Sequence, residues 1–355
     1  MRLSFMKNIL IEYLKKWGIF LTFIVILSVF FSQDFFIFQE KQNHQLEEQK
    51  YKEKLNNFSL AHIPQFENVS LRRTPDESFI QDIVLKISKT RKNIYLNSYI
   101  FTEKRIKKAL IEAGKRGVDV KVILEKNVYN APNVNKATYE ELKENNIPVV
   151  WSASKNFSLN HAKYIVFDDV VLVSTWNYSY SNFTKKRDLF LYVTDATFLK
   201  NMVNLFENDF SGEKTFFNQD NVVLSSYDAR WKLSKLIQES QSSILMYAPY
   251  LQDDLLISLL KTKIKDWINI KIVTNVSEKS EQDIKDLIDL GLEIVFSPLE
   301  IHAKSIDVDG KVVYIGSINF STSSIDKNRE VWLLISHENI IKQFEDVFYR
   351  DFHIK

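Results

Sequence analysis

The chain has 355 residues, of which 45% are hydrophobic and 26% charged, and a net charge of +2; this is typical of one large globular domain or two ordinary ones. It contains no cysteine, which excludes structural disulfides, cysteine-based zinc sites and a thiol nucleophile. The few glycines form no phosphate-binding loop. Residues 1–32 carry a net charge of +3 and the rest of the chain −1, which is too close to neutral for a strongly basic nucleic-acid binder.

The N-terminal segment is predicted to anchor the protein in a membrane. Residues 17–33 (WGIFLTFIVILSVFFSQ) form an uncharged apolar run just long enough to span a bilayer. Lys15 and Lys16 precede the run, so residues 1–16 are expected to stay in the cytoplasm and the body to lie outside it. A cleaved signal peptide, which would release a secreted protein, is the alternative. Residues 34–64, polar over most of their length, are interpreted as a spacer.

The remaining chain repeats one pattern twice. Strand-like runs correspond in order between the two halves: 93–101 with 243–251, 118–126 with 268–276, and 147–152 with 292–297. An amphipathic helix is predicted over 103–117, and each half closes with a helix-like segment, at 204–210 and at 346–352. Alternating strands and helices predict two α/β domains, 65–215 and 216–355, each with a mostly parallel or mixed sheet.

Polar residues cluster at corresponding places in the two copies. In the second copy, a strand-like run carries His302 and Lys304, a turn follows at 309–310, and the next run ends with Ser317 and Asn319. Residues two apart share a face of a strand, so these four side chains are expected to point to one side. The corresponding set in the first copy is His161, Lys163, Thr175 and Asn177.

These residue types indicate phosphate chemistry. A metal site is not expected, because a lysine beside each histidine repels a cation and the carboxylates of Asp168 and Asp309 fall on the opposite strand parity; no cofactor is expected either. Lysine, amide and hydroxyl donors suit a tetrahedral anion. Two histidines that flank one phosphate can divide the work, one attacking phosphorus and the other protonating the leaving alcohol.

The pattern H-x-K-x4-D followed by G-S-x-N resembles the signature of the phospholipase D superfamily, here duplicated over roughly residues 65–352. The second copy matches throughout, with His302, Lys304, Asp309, Gly316, Ser317, Asn319 and the later Glu330. The first copy has His161, Lys163, Asp168, Thr175, Asn177 and Asp188. It departs from the pattern in a turn one residue shorter, in Ser174 in place of the glycine, and in Asp188 in place of the glutamate.

The resemblance implies two pseudo-symmetric α/β/α domains that share one active site, and a metal-independent reaction through a phosphohistidine. It assigns the nucleophile to His161 and the general acid to His302, with Asp188 orienting His161 and Glu330 orienting His302. The catalytic residues that it implies are His161, Lys163, Asp168, Asn177, His302, Lys304, Asp309 and Asn319, supported by Thr175, Asp188, Ser317 and Glu330.

The substrate stays open, because membership of a family gives the reaction and not its substrate. The predicted anchor and the near-neutral body favour a phospholipase D that hydrolyses phospholipids at the membrane. A membrane-tethered endonuclease and a cardiolipin-synthase-like phosphatidyl transferase follow as alternatives, in that order. The expected partners are phospholipid and the membrane, with nucleic acid as the alternative substrate. No obligate protein partner is expected, and one monomer should hold the whole site.

Overall fold

The structure is a computed structural model that describes residues 60–153, 155–213, 215–275 and 281–353. The chain divides into two compact units, and all of the described residues belong to the second, Phe58–Lys355. The predicted anchor therefore lies outside the described residues, as does nearly all of the predicted spacer. Within the described ranges, no helix is both long and apolar enough to cross a bilayer.

The first half is built on a seven-stranded mixed sheet. The strands of this half are β1 (Asn68–Arg73), β2 (Asn93–Ser98), β3 (Asp119–Leu124), β4 (Val149–Trp151), β5 (Tyr164–Val166), β6 (Val171–Ser174), the short β7 (Lys186–Arg187), which lies outside the sheet, and β8 (Leu189–Thr194). The order in the sheet is β1-β8-β6-β5-β2-β3-β4. Strands β2, β3 and β4 are parallel, and the others pair antiparallel. The helices are α1 (Ser78–Lys89), α2 (Lys104–Lys115), α3 (Lys136–Glu144), α4 (Tyr180–Lys185) and α5 (Ala196–Ser211).

The second half repeats this plan. Its strands are β9 (Val222–Leu224), β10 (Ser243–Tyr247), β11 (Leu251–Gln252), β12 (Asn269–Thr274), β13 (Glu293–Phe296), β14 (Glu300–Ile301), β15 (Ser305–Val308), β16 (Val312–Gly316), β17 (Phe320–Ser321) and β18 (Val331–Ile335). The seven-stranded sheet has the order β13-β12-β10-β15-β16-β18-β9. The helices are α6 (Ala229–Gln238), α7 (Asp254–Lys265), α8 (Glu281–Asp289), α9 (Thr322–Asp326) and α10 (Glu338–Phe352). The prediction of two α/β halves with mixed sheets is thus confirmed.

Local sequence signals account for several element ends. The predicted helix at 103–117 is α2, which begins where the Glu103 carboxylate accepts the Arg105 N–H at 3.1 Å. It ends before Gly117, whose φ of +86° is easily adopted only by glycine. The predicted turn at 309–310 joins β15 and β16, and both of its residues have positive φ, as a type I′ turn requires. Because Val308 pairs with Val312, the loop between the strands holds three residues, 309–311.

One apolar cluster spans both halves. It includes inward-facing residues of both sheets, such as Leu191 of β8 and Leu333 of β18, together with buried faces of α5 and α10. A second cluster packs α1 and α2 on the other face of the first sheet. Because the larger cluster contains both sheets, the halves share a core, and the loops at the ends of their strands are held in a fixed relation.

Short backbone pairings also tie the halves together. Strand β14 of the second half pairs in parallel with β7 of the first, and Asn160 of the first half forms a bridge with Arg329 of the second. In each pairing, the residues just before a site histidine of one half lie beside the residues just before an acidic site residue of the other half. These crossings bring the predicted site residues together.

Candidate active site

The two histidine-lysine pairs occupy equivalent places ahead of two strands. His161 and Lys163 lie just before β5, and His302 and Lys304 just before β15, whereas the sequence prediction put them within strands. Both lysines are buried, and each turns back on its own histidine. Lys163 Nζ donates to the carbonyl oxygen of His161 at 2.5 Å, and Lys304 Nζ donates to the carbonyl oxygen of His302.

The acidic partners of the histidines cross between the halves. Nδ1 of His161 lies 2.8 Å from Oε2 of Glu330, and Nδ1 of His302 lies 2.8 Å from Oδ1 of Asp188. The prediction that Asp188 orients His161 and that Glu330 orients His302 is therefore wrong. The reason lies in the backbone, because each acidic residue follows a segment that pairs with the opposite half.

Both carboxylates are fully buried and held by further donors. Glu330 Oε1 accepts the Ser324 hydroxyl at 2.9 Å and the Asn328 amide at 3.2 Å. Asp188 accepts the Thr175 hydroxyl at 2.6 Å. These donors fix each carboxylate against its histidine, so that the histidine keeps a proton on Nδ1 and presents Nε2 to the site.

Thr175 and Ser317 also connect the site to the strands beside it. The Thr175 hydroxyl accepts the backbone N–H of Leu189 at 3.0 Å, and the Ser317 hydroxyl accepts that of Val331 at 3.1 Å. Each acidic residue directly precedes one of these N–H groups in the sequence. The predicted supporting residues thus fasten the backbone that carries the two carboxylates.

Burial sets the charge states of the site. It lowers the pKa of both His161 and His302 to about 4, against the smaller upward influence of their carboxylates. Burial also lowers the pKa of Lys304 to about 8 and that of Lys163 well below its usual value. Burial alone would raise the pKa of Asp188 and Glu330, but the neighbouring histidines and lysines outweigh it and the pKa of each is lowered. An arriving phosphate would favour the protonated lysines.

Asn177 and Asn319 supply matching amides. Each lies two residues after the hydroxyl of its half. Within the part of the chain that the structure describes, the side-chain oxygens of both are buried and have no hydrogen-bond partner. A half-turn of an amide exchanges its oxygen and nitrogen, so each asparagine has a polar atom available to a substrate.

A family model described as "Cardiolipin synthase, PLD-like domain" matches the chain twice, over residues 83–210 and 233–352. The two matches carry the two histidine-lysine pairs, one in each half. The chain belongs to the phospholipase D superfamily.

Curated relatives and solved structures agree with this membership. The chain is 23% identical to the cardiolipin synthase of Clostridium perfringens (strain SM101 / Type A) over 78% of its length and 69% of the relative's. It is 26% identical to the major cardiolipin synthase ClsA of Bacillus subtilis (strain 168) over 76% of its length and 66% of the relative's.

The fold resembles that of two solved structures. One is the phosphatidylserine synthase of Haemophilus influenzae Rd KW20, with a TM-score of 0.66 and 16% identity over 84% of this chain and 88% of that one. The other is the polyphosphate kinase of Porphyromonas gingivalis, with a TM-score of 0.62 and 15% identity over 82% of this chain and 48% of that one.

The aspartates of the superfamily pattern lie away from the histidines. Asp168 accepts the backbone N–H groups of residues 91–93 at 2.8–2.9 Å, and Asp309 accepts those of residues 241–243. Each thereby fixes the start of a central strand, β2 or β10. These contacts correct the prediction that Asp168 and Asp309 are catalytic. Each carboxylate is hydrogen-bonded at the end of the strand that lies away from the histidines, so it does not contact the site.

The unusual serine of the first copy has a packing explanation. Gly316 stands opposite Trp332 in the sheet, and a Cβ at Gly316 would collide with that ring and with the Val331 carbonyl oxygen. Ser174 stands opposite Phe190 instead, and its hydroxyl donates to the Lys163 carbonyl oxygen at 3.2 Å. The first half therefore accommodates a side chain at the position where the second half requires glycine.

Tyr99 is a site residue that the sequence analysis missed. Its ring meets the His161 imidazole edge-on at 4.7 Å between centroids, and the Lys163 ammonium lies 5.2 Å from the ring centroid. Its hydroxyl accepts the backbone N–H of Tyr129 at 2.7 Å, which ties it to the loop after β3. The available signal was a tyrosine near the end of the strand-like run 93–101. Among the described residues, no cluster of three potential metal ligands occurs here or elsewhere.

Proposed function

We propose that this protein is a phosphatidyl transferase of the cardiolipin-synthase type, acting through a phosphohistidine. The observation that carries the proposal is the pair of crossed histidine-carboxylate contacts beside two buried lysines. The names of its relatives support transfer better than the hydrolysis that the sequence analysis ranked first. The name of the phosphatidylserine synthase with a similar fold points the same way.

The first step forms the covalent intermediate. Nε2 of neutral His161 attacks phosphorus, and the bond from phosphorus to the leaving alcohol oxygen breaks. Nε2 of protonated His302 gives its proton to that oxygen. Glu330 stabilises the positive charge that develops on His161, as a buried carboxylate does beside a catalytic imidazole.

The lysines and asparagines would hold the phosphate. Lys163 and Lys304 place positive charge beside its non-bridging oxygens, and Asn177 and Asn319 add amide donors. The negative phosphate would raise the pKa of His302 toward neutrality, so that it can carry the proton that the leaving alcohol needs. The lowered pKa of His161 keeps its attacking nitrogen free of a proton at neutral pH.

The second step decides between transfer and hydrolysis. An acceptor hydroxyl attacks the phosphohistidine, its proton passes to Nε2 of His302, and the bond from phosphorus to His161 breaks. With a lipid alcohol as acceptor the product is a new phosphodiester, and with water it is phosphatidic acid. Both outcomes use the same residues, so the acceptor is the point to test.

The test is incubation of the full-length protein with phosphatidylglycerol vesicles in the presence of EDTA. We expect cardiolipin and free glycerol, and no product from the His161→Asn variant. His353→Asn, which changes an exposed histidine, is the matched control and should retain the wild-type rate. Phosphatidic acid as the only product would identify a hydrolase, and cleavage of DNA in place of lipid would identify a nuclease. Loss of activity with EDTA would identify a metal-dependent reaction. Each of these results would overturn the proposal.

The location of the reaction follows from the same proposal. A lipid substrate requires contact with a membrane, and residues 17–33 would supply the anchor. We expect the catalytic body to lie outside the cytoplasm, with no obligate protein partner. Protease added to intact spheroplasts should digest the body, and full protection would contradict this topology.

A further inference from the structure

Each histidine of the site is held at two points by one dipeptide of the opposite half. In the dipeptide 329–330, the Arg329 carbonyl oxygen accepts the backbone N–H of His161 at 2.9 Å, and the Glu330 carboxylate contacts the His161 ring. The dipeptide 187–188 does the same for His302, with the Arg187 carbonyl oxygen 3.0 Å from its backbone nitrogen. The position of each dipeptide therefore sets the position of a histidine.

The Arg187 side chain fastens its dipeptide to the last helix of the second half. Its guanidinium donates to Asp351 of α10 with both prongs, at 2.5 Å from Nε to Oδ2 and 2.8 Å from a terminal nitrogen to Oδ1. The Tyr247 hydroxyl also donates to Asp351 Oδ2, at 2.5 Å. Both carboxylate oxygens are thus bonded in a geometry that fits an arginine fork.

Arg329 makes the equivalent contact with the last helix of the first half. A terminal nitrogen donates to Asp209 Oδ1 of α5 at 2.9 Å and to the Thr215 carbonyl oxygen at 3.1 Å. The guanidinium carbon lies 5.2 Å and 5.0 Å from the ring centroids of Phe157 and Phe216. Arg329 and Asp209 are almost completely buried, at 1% and 3% exposed.

We propose that Arg187 and Arg329 are positioning residues, which act through the carboxylates that follow them on His302 and His161 respectively. Their catalytic meaning rests on the function proposed above, whereas their effect on the two histidines does not. In each half, an arginine precedes the site carboxylate and an aspartate stands near the end of the closing helix, and the two join across the halves. The halves are thereby fastened at the residues that orient the imidazoles.

The two anchors differ in strength. Asp351 has both oxygens bonded, but within the described residues Asp209 Oδ2 and two of the three Arg329 nitrogens have no hydrogen-bond partner. Lysine can replace one hydrogen bond but not a fork. We therefore expect Arg187→Lys to displace His302.

The pseudo-symmetry supplies the matched control for an experiment that needs no substrate. The full-length protein is labelled with nitrogen-15 histidine, and the imidazole signals are followed against pH in wild type, Arg187→Gln and Arg329→Gln. The site signals are assigned from His161→Gln and His302→Gln. Arg187→Gln should move the titration midpoint of His302 by about half a pH unit or more, and Arg329→Gln should move that of His161 by a similar amount. In each variant, the midpoint of the other site histidine should stay within about 0.2 pH unit of its wild-type value.

The charged groups that face both rings, Lys163 and Lys304, are the same in all variants, so a selective shift reports the dipeptide. If a glutamine variant does not fold, Asp351→Asn and Asp209→Asn release the same two anchors from the helix side and should give the same selectivity. Equal movement of both histidines, or a lower Tm with neither histidine moved, would overturn the proposal and leave the arginines as a general fastening between the halves.

Discussion

Nδ1 of His161 lies 2.8 Å from Oε2 of Glu330, although 169 residues of sequence separate the two. His302 and Asp188 form the mirrored contact, 114 residues apart in the opposite direction. Neither half contains both a site histidine and the carboxylate that contacts it. A single half would therefore have an imidazole with no fixed tautomer, and the site exists only when the halves are joined.

The first prediction distinguishes the two carboxylates. Glu330→Gln should slow formation of the phosphohistidine by about 10²–10⁴-fold, because the positive charge that develops on His161 loses its partner. Asp188→Asn should instead slow the proton transfers made by His302. Rapid-quench kinetics, which separate the two steps, measure both effects.

Leaving groups provide the control for these variants. With an aryl phosphodiester, whose leaving group needs no proton, Asp188→Asn should form the intermediate nearly as fast as wild type, and Glu330→Gln should stay slow. The reverse result would mean either that His302 is the nucleophile or that the carboxylates serve the histidines of their own halves, and the site of phosphorylation distinguishes these two explanations.

The second prediction concerns Asp309, a conspicuous residue of the motif that lies outside the site. Asp309→Asn should lower the free energy of unfolding by about 1–3 kcal/mol, because the carboxylate accepts the N–H groups that begin β10. Asparagine tolerates the positive φ at this position, so the turn itself should survive. Urea denaturation measures the loss.

The imidazole titrations of His161 and His302 should not move in the Asp309→Asn variant. Asp168→Asn is the matched variant in the other half and should behave alike, since its carboxylate begins β2 in the same way. If turnover fell by about two orders of magnitude or more at unchanged stability, a purely structural role would be contradicted, because a carboxylate that only fixes the start of a strand should affect turnover through the stability of the fold.

Much of the fold was predictable because the repeat carries its signals in local sequence. The strand runs of both copies appear where periodicity puts them, each slightly shorter than predicted, as β2 and β10 illustrate. The turn at 309–310 follows from the chemistry of Asp-Gly. These features depend on neighbouring residues and not on how the halves meet.

The pairing inside the site was not predictable from the repeat. Two copies of one motif look the same whether each acidic residue serves its own histidine or the other, and only the pairing of β7 with β14 and the bridge of Asn160 with Arg329 decide it. The aspartates show the opposite case. Asp168 and Asp309 come after the strand that follows each histidine-lysine pair, so their separation from the lysines could be seen in the sequence, and the structure places both at the far end of that strand.

The third prediction is loss of stability on acidification. Burial lowers the pKa of His161 and His302 to about 4, from a usual value of about 6.5 in the unfolded chain. Between those values the unfolded chain binds more protons than the folded one, so the free energy of unfolding falls as pH falls. The contribution is complete above about pH 6.5 and is on the order of 2 kcal/mol for each histidine.

Urea denaturation at pH 7, 6 and 5 tests this dependence. The lowered pKa values of Asp188 and Glu330 act in the same direction, at lower pH still. His161→Gln keeps an N–H donor for Glu330 and removes one titrating group, so its stability should fall less steeply than that of wild type. Parallel pH profiles for the two proteins would show that His161 is not held neutral in the folded state.

The last prediction concerns which histidine becomes phosphorylated. Both have a carboxylate on Nδ1 and a lowered pKa, so local chemistry does not distinguish them, and the resemblance to the superfamily assigns the nucleophile to His161. Mass spectrometry of acid-free digests after rapid quench should find the phosphate on His161. His161→Asn should abolish both the intermediate and turnover.

The His302→Asn variant gives the complementary test. It should lose turnover of a phospholipid, whose alcohol is a poor leaving group, but should still be phosphorylated at His161 by an activated aryl phosphodiester, because that leaving group departs without a proton. The trapped intermediate should then persist, since His302 is also needed to activate the acceptor alcohol. Phosphate on His302 of the wild type, with an intermediate that survives in His161→Asn, would reverse the two roles and leave the reaction class intact.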